Sequence, residues 1–308
     1  MTELEMRGLV GTDPLGLFAA LGTLDVVHRA GRSATLHWTD DVVPEAVLSG
    51  VDGVADLTDL VLADLTHWRN SPVLTWGPVE GEPLRDAKPS PEHLRQWMAA
   101  TLENAHGGRA DIDLLSAIVA EGALARKGEA KPTHFHFTAG QQQFVAMVRE
   151  LAGSVTASHV EEAVLGPWRR ACTLPVLGWE AGGERIYALR GTNPSSDKKL
   201  GTPGADWLGF LGLTFFPVAT RRGRLETTGC SPEWKRGWFR WPIWTVPIGA
   251  DVVRSLLGDT TLWSLDELRL RLRGVSRVME APIRRADRGG YGSFGAPSEV
   301  TLRAPAGR

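Results

Sequence analysis

The chain is 308 residues long, 43% hydrophobic and 23% charged, with a net charge of −2. That length allows a large core and the composition is ordinary for a globular protein, but no global positive field exists, so a polyanion could be held only by a local patch. The two cysteines, Cys172 and Cys230, cannot build a four-thiolate zinc site, no secretory leader precedes them and no apolar run reaches membrane-spanning length; the sequence predicts a cytoplasmic protein with free thiols and no membrane partner.

Glu3 to Val10 reads as a first strand. Asp13 then caps a helix with Pro14 at its first position, and Gly31 ends it. Leu15, Phe18, Ala19 and Val26 supply an apolar face, while Gly16, Ala19, Ala20 and Gly22 keep the helix slender enough for another element to approach closely. Ala34 to Trp38 is a second strand. Asp41 to Leu65 reads as mainly helical, broken near Gly50 and Gly53, and His67 to Pro83 as turn-rich. Further helices are expected from Pro91 and over Asp111 to Ala125.

The stretch from Lys131 to Leu151 looks like the organising unit. His134-Phe135-His136-Phe137 alternates polar and apolar, so it reads as a short strand with both imidazoles on one face. Thr138, with Gln141 three residues on, resembles a capping box, and Phe144, Val145, Val148 and Leu151 recur at helical spacing. Gln141, Gln142 and Gln143 would then sit beside free backbone N–H groups, a place suited to a phosphate.

Downstream, His159 to Leu165 is a helix stopped by Gly166-Pro167, and Leu174 to Trp179 and Glu184 to Leu189 read as strands. Arg190 to Gly204 is a loop. Asp206-Trp207-Leu208-Gly209 opens a second small-residue helix that faintly echoes Asp13-Pro14-Leu15-Gly16. Arg221-Arg222-Gly223-Arg224 is a basic turn. Trp234, Trp238, Trp241 and Trp244 are interleaved with Lys235, Arg236 and Arg240. Val252 to Leu257 and Leu265 onward carry helical pattern. Leu268, Leu270 and Leu272 alternate with Arg269, Arg271 and Arg273, so that segment either finishes a helix or forms a strand with one arginine face, and the period favours the strand; Val300 to Arg303 is a last strand. The fold class that follows is α+β, helices packed on small mixed sheets, as a single bilobed domain with lobes near 1–166 and 167–308.

No G-x-S-x-G elbow, Walker A loop, H-E-x-x-H or dinucleotide G-x-G-x-x-G is present, so no catalytic residue and no cofactor is assigned. His134-x-His136 could ligate a metal if other ligands joined it, which keeps a metal-dependent nuclease or hydrolase as one alternative. The basic–aromatic segments are the stronger signal, because cations neutralise phosphates and aromatic planes stack on bases. The candidate nucleic-acid contacts are Arg269, Arg271, Arg273, Arg277, Arg284, Arg285 and Arg288, then Lys235, Arg236 and Arg240, then the three glutamines. A purely structural, protein-binding subunit is a further alternative.

Three stretches resemble a known family. Asp13-Pro14-Leu15-Gly16 with Ala20-Leu21-Gly22, the Phe137-Thr138-Ala139-Gly140-Gln141 turn, and Gly204-Ala205-Asp206-Trp207-Leu208 with Leu211-Gly212-Leu213 and Pro217 are similar, in order, to the large-subunit-like proteins of CRISPR type I-G (formerly I-U) systems. The resemblance implies a non-catalytic, RNA-guided surveillance-complex subunit in antiviral defence, either a compact large subunit or an accessory one. Its partners would be other effector subunits, guide RNA or target DNA, and a separate helicase–nuclease that cuts. Base pairing would read the sequence while the protein grips backbone.

Overall fold

The computed structural model describes residues 2–105, 108–138, 141–181, 199–285 and 291–301. It is an α+β fold, and its strand pairs among those residues are antiparallel. The N-terminal sheet has the order β1 (Glu3–Val10), β3 (Glu45–Ser49), β2 (Leu36–Trp38), with helix α1 (Pro14–Arg29) crossing between β1 and β2. Because both outer strands run antiparallel to β3, β1 and β2 run parallel with β3 inserted between them, a split strand–helix–strand unit. Residues 45–49 were expected to be helical. They are instead the central strand of this sheet, with Ala46 to Ser49 buried; a short apolar run does not reveal its period.

Helix α1 is the axis of the molecule. The Asp13 carboxylate accepts from the N–H groups of Leu15 (2.9 Å) and Gly16 (3.3 Å), the cap expected of it, and every side chain from Pro14 to Val27 is buried. A helix apolar all round must be covered all round. Its principal partner is α8 (Pro203–Gly212), also buried along its whole length. The two small-residue helices that echo each other in sequence thus lie against each other. Helices α2 (Val54–Asn70), α3 (Pro72–Thr75), α4 (Pro91–Asn104), α5 (Ala110–Ile118), α6 (Phe144–Ser154) and α7 (Ala157–Leu165) pack around this pair.

The longest strand, β9 (Val275–Arg285), pairs with β8 (Trp238–Trp244) along one edge and with β10 (Gly292–Phe294) and β11 (Ser298–Glu299) along the other. Strand β8 ties this sheet to the first: Trp241 Nε1 donates to the Gly11 carbonyl (2.8 Å) and Trp244 Nε1 to that of Leu36 (2.7 Å). These two tryptophans are therefore core, each with its N–H spent on a carbonyl. One continuous apolar core runs from Met6 to Phe294. Two hairpins stand beside it: β4 (Val119–Leu124) with β5 (Ala130–Pro132), and β6 (Val218–Arg221) with β7 (Arg224–Thr227). The helix expected to run to Ala125 stops at Ile118, where the chain enters β4. Helix α9 (Ala250–Gly258) and the short α10 (Glu267–Arg271) complete the set. No described helix is long and apolar enough to cross a membrane.

The stretch 131–138 departs from its expected form. Only Lys131 and Pro132 are in a strand; His136 N–H returns to the Thr133 carbonyl (3.1 Å), so 133–136 is a turn. Phe135 and Phe137 face the core, where Phe135 lies edge-on to Phe18 (centroids 4.9 Å apart) and to Phe239 (5.0 Å). Thr138 does not cap α6; its hydroxyl lies 3.3 Å from His136 Nε2. The cap comes from Asp86, whose Oδ1 accepts the Phe144 N–H (3.2 Å). Leu174 to Trp179 forms no strand, and the expected strand at 184–189 falls outside the described residues.

Candidate nucleic-acid interface

The arginine run does not form one face. Residues 267–271 are helical, not extended: Asp266 caps the turn by accepting the Arg269 N–H (2.9 Å), and only Leu270 is buried, while Leu268 and Leu272 are 69% and 80% exposed. Helical spacing sends Arg271 away from Arg269 and Arg273. Each has its own carboxylate: Arg269 beside Asp266 (3.7 Å), Arg271 on Glu267 (2.6 Å), Arg273 on Asp259 (2.6 Å). Such exposed pairs are worth about 0.2–1 kcal/mol each, but they cancel the local charge that a phosphate would seek.

The β9 arginines are scattered too. Arg277 donates to the carbonyls of Asp41 (2.9 Å) and Val42 (3.3 Å). Arg284 is exposed, and Arg288 lies outside the described residues. Arg285 is a structural clamp. Its Nη1 and Nη2 donate to the carbonyls of His136 and His134 (2.7 Å each), its Nε donates to that of Trp234 (3.1 Å), and its guanidinium stacks 4.0 Å from the Trp234 ring. Burial lowers it to about 10, so it stays charged at neutral pH. Arg240 is held between Glu280 (2.6 Å) and the Trp238 ring (4.1 Å).

The glutamines flank a helix start whose anion position is already filled. Asp86 sits at the first turn of α6, as its bond to the Phe144 N–H shows, so the protein supplies its own anion there. Gln141 is exposed, and Gln142 and Gln143 are half-buried.

The two histidines are held apart by different partners. His136 Nε2 lies 2.6 Å from Asp86 Oδ1. Burial lowers the His136 imidazole; burial raises the Asp86 carboxyl, but His136 and Lys88 outweigh it and bring Asp86 to about 2, so the pair reads as neutral imidazole donating to carboxylate. His134 turns instead to Thr227, with Nδ1 and Oγ1 2.8 Å apart. Among the described residues no cluster of three or more His, Cys, Asp or Glu side chains could hold a metal ion.

What the fold does assemble is a different basic surface. The two hairpins pack on each other through Ala123, Val218 and Leu225, with Trp234 against the same small core. The Thr220 hydroxyl donates to the Glu121 carbonyl (2.6 Å), fastening one hairpin to the other. Arg126 and Lys127 sit in the β4–β5 turn. Arg221, Arg222 and Arg224 stand on the β6–β7 hairpin, and Lys235 and Arg236 on the neighbouring turn; all are exposed. Among the described residues, no carboxylate lies within ion-pair distance of Arg126, Lys127, Lys131, Arg221, Arg222, Arg224 or Arg236. Arg222 and Gly223 close the hairpin with φ of 50° and 73°, the two positive values of a type I′ turn. Asparagine or glycine would sit at position 222 without strain, so the arginine is held there at some backbone cost.

Sequence reasoning noted the Arg221–Arg224 turn and named Lys235 and Arg236. It passed over Lys131 and the join between them, because the contact of Trp234 with two hairpins from distant parts of the chain is tertiary. The available local signal was a run of cations with few acids beside it. No protein-family model matches the chain, and no curated protein matches it.

Proposed function

We propose that this chain is a nucleic-acid-binding, non-catalytic subunit of a CRISPR type I effector complex, gripping the backbone of guide RNA or target DNA. The observation that carries nucleic-acid binding is the gathering of Arg126, Lys127, Arg221, Arg222, Arg224 and Arg236 on two hairpins and the turn beside them, none within ion-pair distance of a carboxylate among the described residues, in a chain whose net charge is −2. Such cations are not neutralised by a direct ion pair, and a phosphate backbone is the polyanion that a local patch of them would meet. Assignment to the effector complex rests on the three resembling stretches. Two of them are α1 and α8, the buried helix pair, so that likeness concerns the core rather than the charged surface. Assembly with neighbouring subunits has its own support: Leu268 on α10 and Leu272, which follows its last residue, lie about one turn apart and stay exposed.

The test is co-expression with the remaining effector subunits and a guide array. The chain should co-purify with them and with RNA, and its retention should fall with ribonuclease treatment and rising salt. A chain that elutes alone and free of nucleic acid contradicts the proposal.

A further inference from the structure

One cavity brings together two cations that have no carboxylate within ion-pair distance among the described residues and a histidine whose Nε2 has no partner there. It measures about 270 Å³ and is lined by Lys131, His134, Arg224, Leu225, Glu233 and Trp234 among others. The larger cavity beside α1 is different, because its arginines are matched by acids: Arg29 and Arg254 both meet Asp25. Here, one carboxylate, Glu233, faces two cations and an imidazole.

The imidazole is held at one nitrogen. Thr227 Oγ1 accepts the His134 backbone N–H (3.1 Å) and lies 2.8 Å from the ring nitrogen Nδ1, where its remaining lone pair and its own proton suit either tautomer. When Thr227 donates to Nδ1, Nε2 carries the ring hydrogen. Burial, then the charges of Arg285 and Lys131, push His134 down to about 4, so the ring is neutral at cellular pH. The residue is 1% exposed, yet Nε2 has no hydrogen-bond partner among the described residues and is not sealed from solvent, so it opens to the cavity. A ring nitrogen opening beside two cations that lack carboxylate partners can donate to an anionic occupant. The opposing wall is rigid: the Trp234 ring lies 5.2 Å from the imidazole and is stacked on Arg285.

We propose that this cavity receives a phosphate monoester, with Lys131 and Arg224 meeting its charge and His134 Nε2–H donating to one of its oxygens. A monoester carries about −1.5 to −2 charge at neutral pH, against about −1 for a phosphodiester within a strand, and so matches two cations better. The source is the phosphorylated end of a nucleic-acid strand or a free nucleotide. The strand-end form rests on the nucleic-acid reading above, since the cavity opens among the same hairpin cations.

The experiment compares one single-stranded oligonucleotide carrying a 5′-phosphate, a 3′-phosphate or hydroxyls at both ends, with a nucleoside 5′-monophosphate in a separate titration. One phosphorylated strand should bind about tenfold tighter than the hydroxyl-ended strand. That preference should vanish in Lys131→Gln/Arg224→Gln and persist in Arg221→Gln/Arg222→Gln, which should weaken all strands alike. Thermal melting of each variant checks its fold. Equal binding of phosphorylated and hydroxyl-ended strands overturns the strand-end site while leaving the nucleic-acid reading intact. If no strand binds but the mononucleotide does, in a manner dependent on Lys131 and Arg224, the cavity is a free-nucleotide site and the nucleic-acid reading falls. If neither binds, both fall.

Discussion

Gly22 of α1 and Gly212 of α8 lie back to back. A β-carbon on Gly22 would strike the Leu208 carbonyl oxygen, and one on Gly212 would strike the Phe18 carbonyl oxygen, so each helix has a glycine four residues after the backbone oxygen that the other glycine meets. The contact is reciprocal, and it sets the distance between the two buried helices. Gly22→Ala and Gly212→Ala should each destabilise the protein by about 1–3 kcal/mol or more, because backbone rather than a flexible side chain must move. Gly153→Ala in α6, where nothing lies within 4 Å, is the control and should be neutral or stabilising. Urea denaturation of the three variants checks this, and equal midpoints would dispose of the close-crossing argument.

Both glycines were legible in the sequence as slender-helix residues, and so was the Asp13-Pro14 start, because caps and small residues act locally. The misread segments share a different cause. Residues 45–49 and 267–271 are too short for periodicity to separate strand from helix. In the second, two of the three leucines that suggested a buried strand face stay exposed. Thr138 looked like a cap, but Asp86, far away in sequence, took that place. Arg285 reads in the sequence as one more surface cation, but the carbonyls of His134, His136 and Trp234 and the Trp234 ring surround its guanidinium. The basic surface of the two hairpins was visible only as fragments, since Trp234 and the Ala123, Val218 and Leu225 core join them in space.

Arg285 should therefore matter for folding before it matters for binding. Arg285→Met leaves the carbonyls of His134, His136 and Trp234 without their donor, and a cost of about 3 kcal/mol is expected. Arg285→Lys should recover only part, since an ammonium lacks the planar fork. A stable Arg285→Met protein that has lost nucleic-acid binding would instead make Arg285 a ligand contact.

Asp206 makes stability fall as pH rises. Its Oδ1 accepts the Leu177 N–H (2.9 Å) but Oδ2 is buried without a partner, and burial raises the carboxyl from 3.8 to about 7. The folded state then holds this proton more tightly than the unfolded state. Its contribution is full below about pH 4 and is lost as pH climbs through about 7. Asp206→Asn keeps an acceptor for Leu177 and has no proton to lose. Its stability should fall less than that of the wild type between about pH 5 and about pH 8, as read from urea midpoints. Parallel pH profiles would show that Asp206 does not carry the effect.

The α10 arginines and the hairpin arginines make opposite predictions for salt. Fluorescence anisotropy of a labelled single-stranded RNA, titrated at several salt concentrations, compares wild type with Arg221→Gln/Arg222→Gln/Arg236→Gln and with Arg269→Gln/Arg271→Gln/Arg273→Gln. The hairpin variant should bind more weakly and flatten the slope of log K against log salt by about 2, roughly 0.7 for each phosphate that is no longer neutralised, while the α10 variant keeps the wild-type slope. A hairpin variant indistinguishable from wild type, or a slope that flattens only in the α10 variant, would contradict the placing of the nucleic-acid interface on the two hairpins.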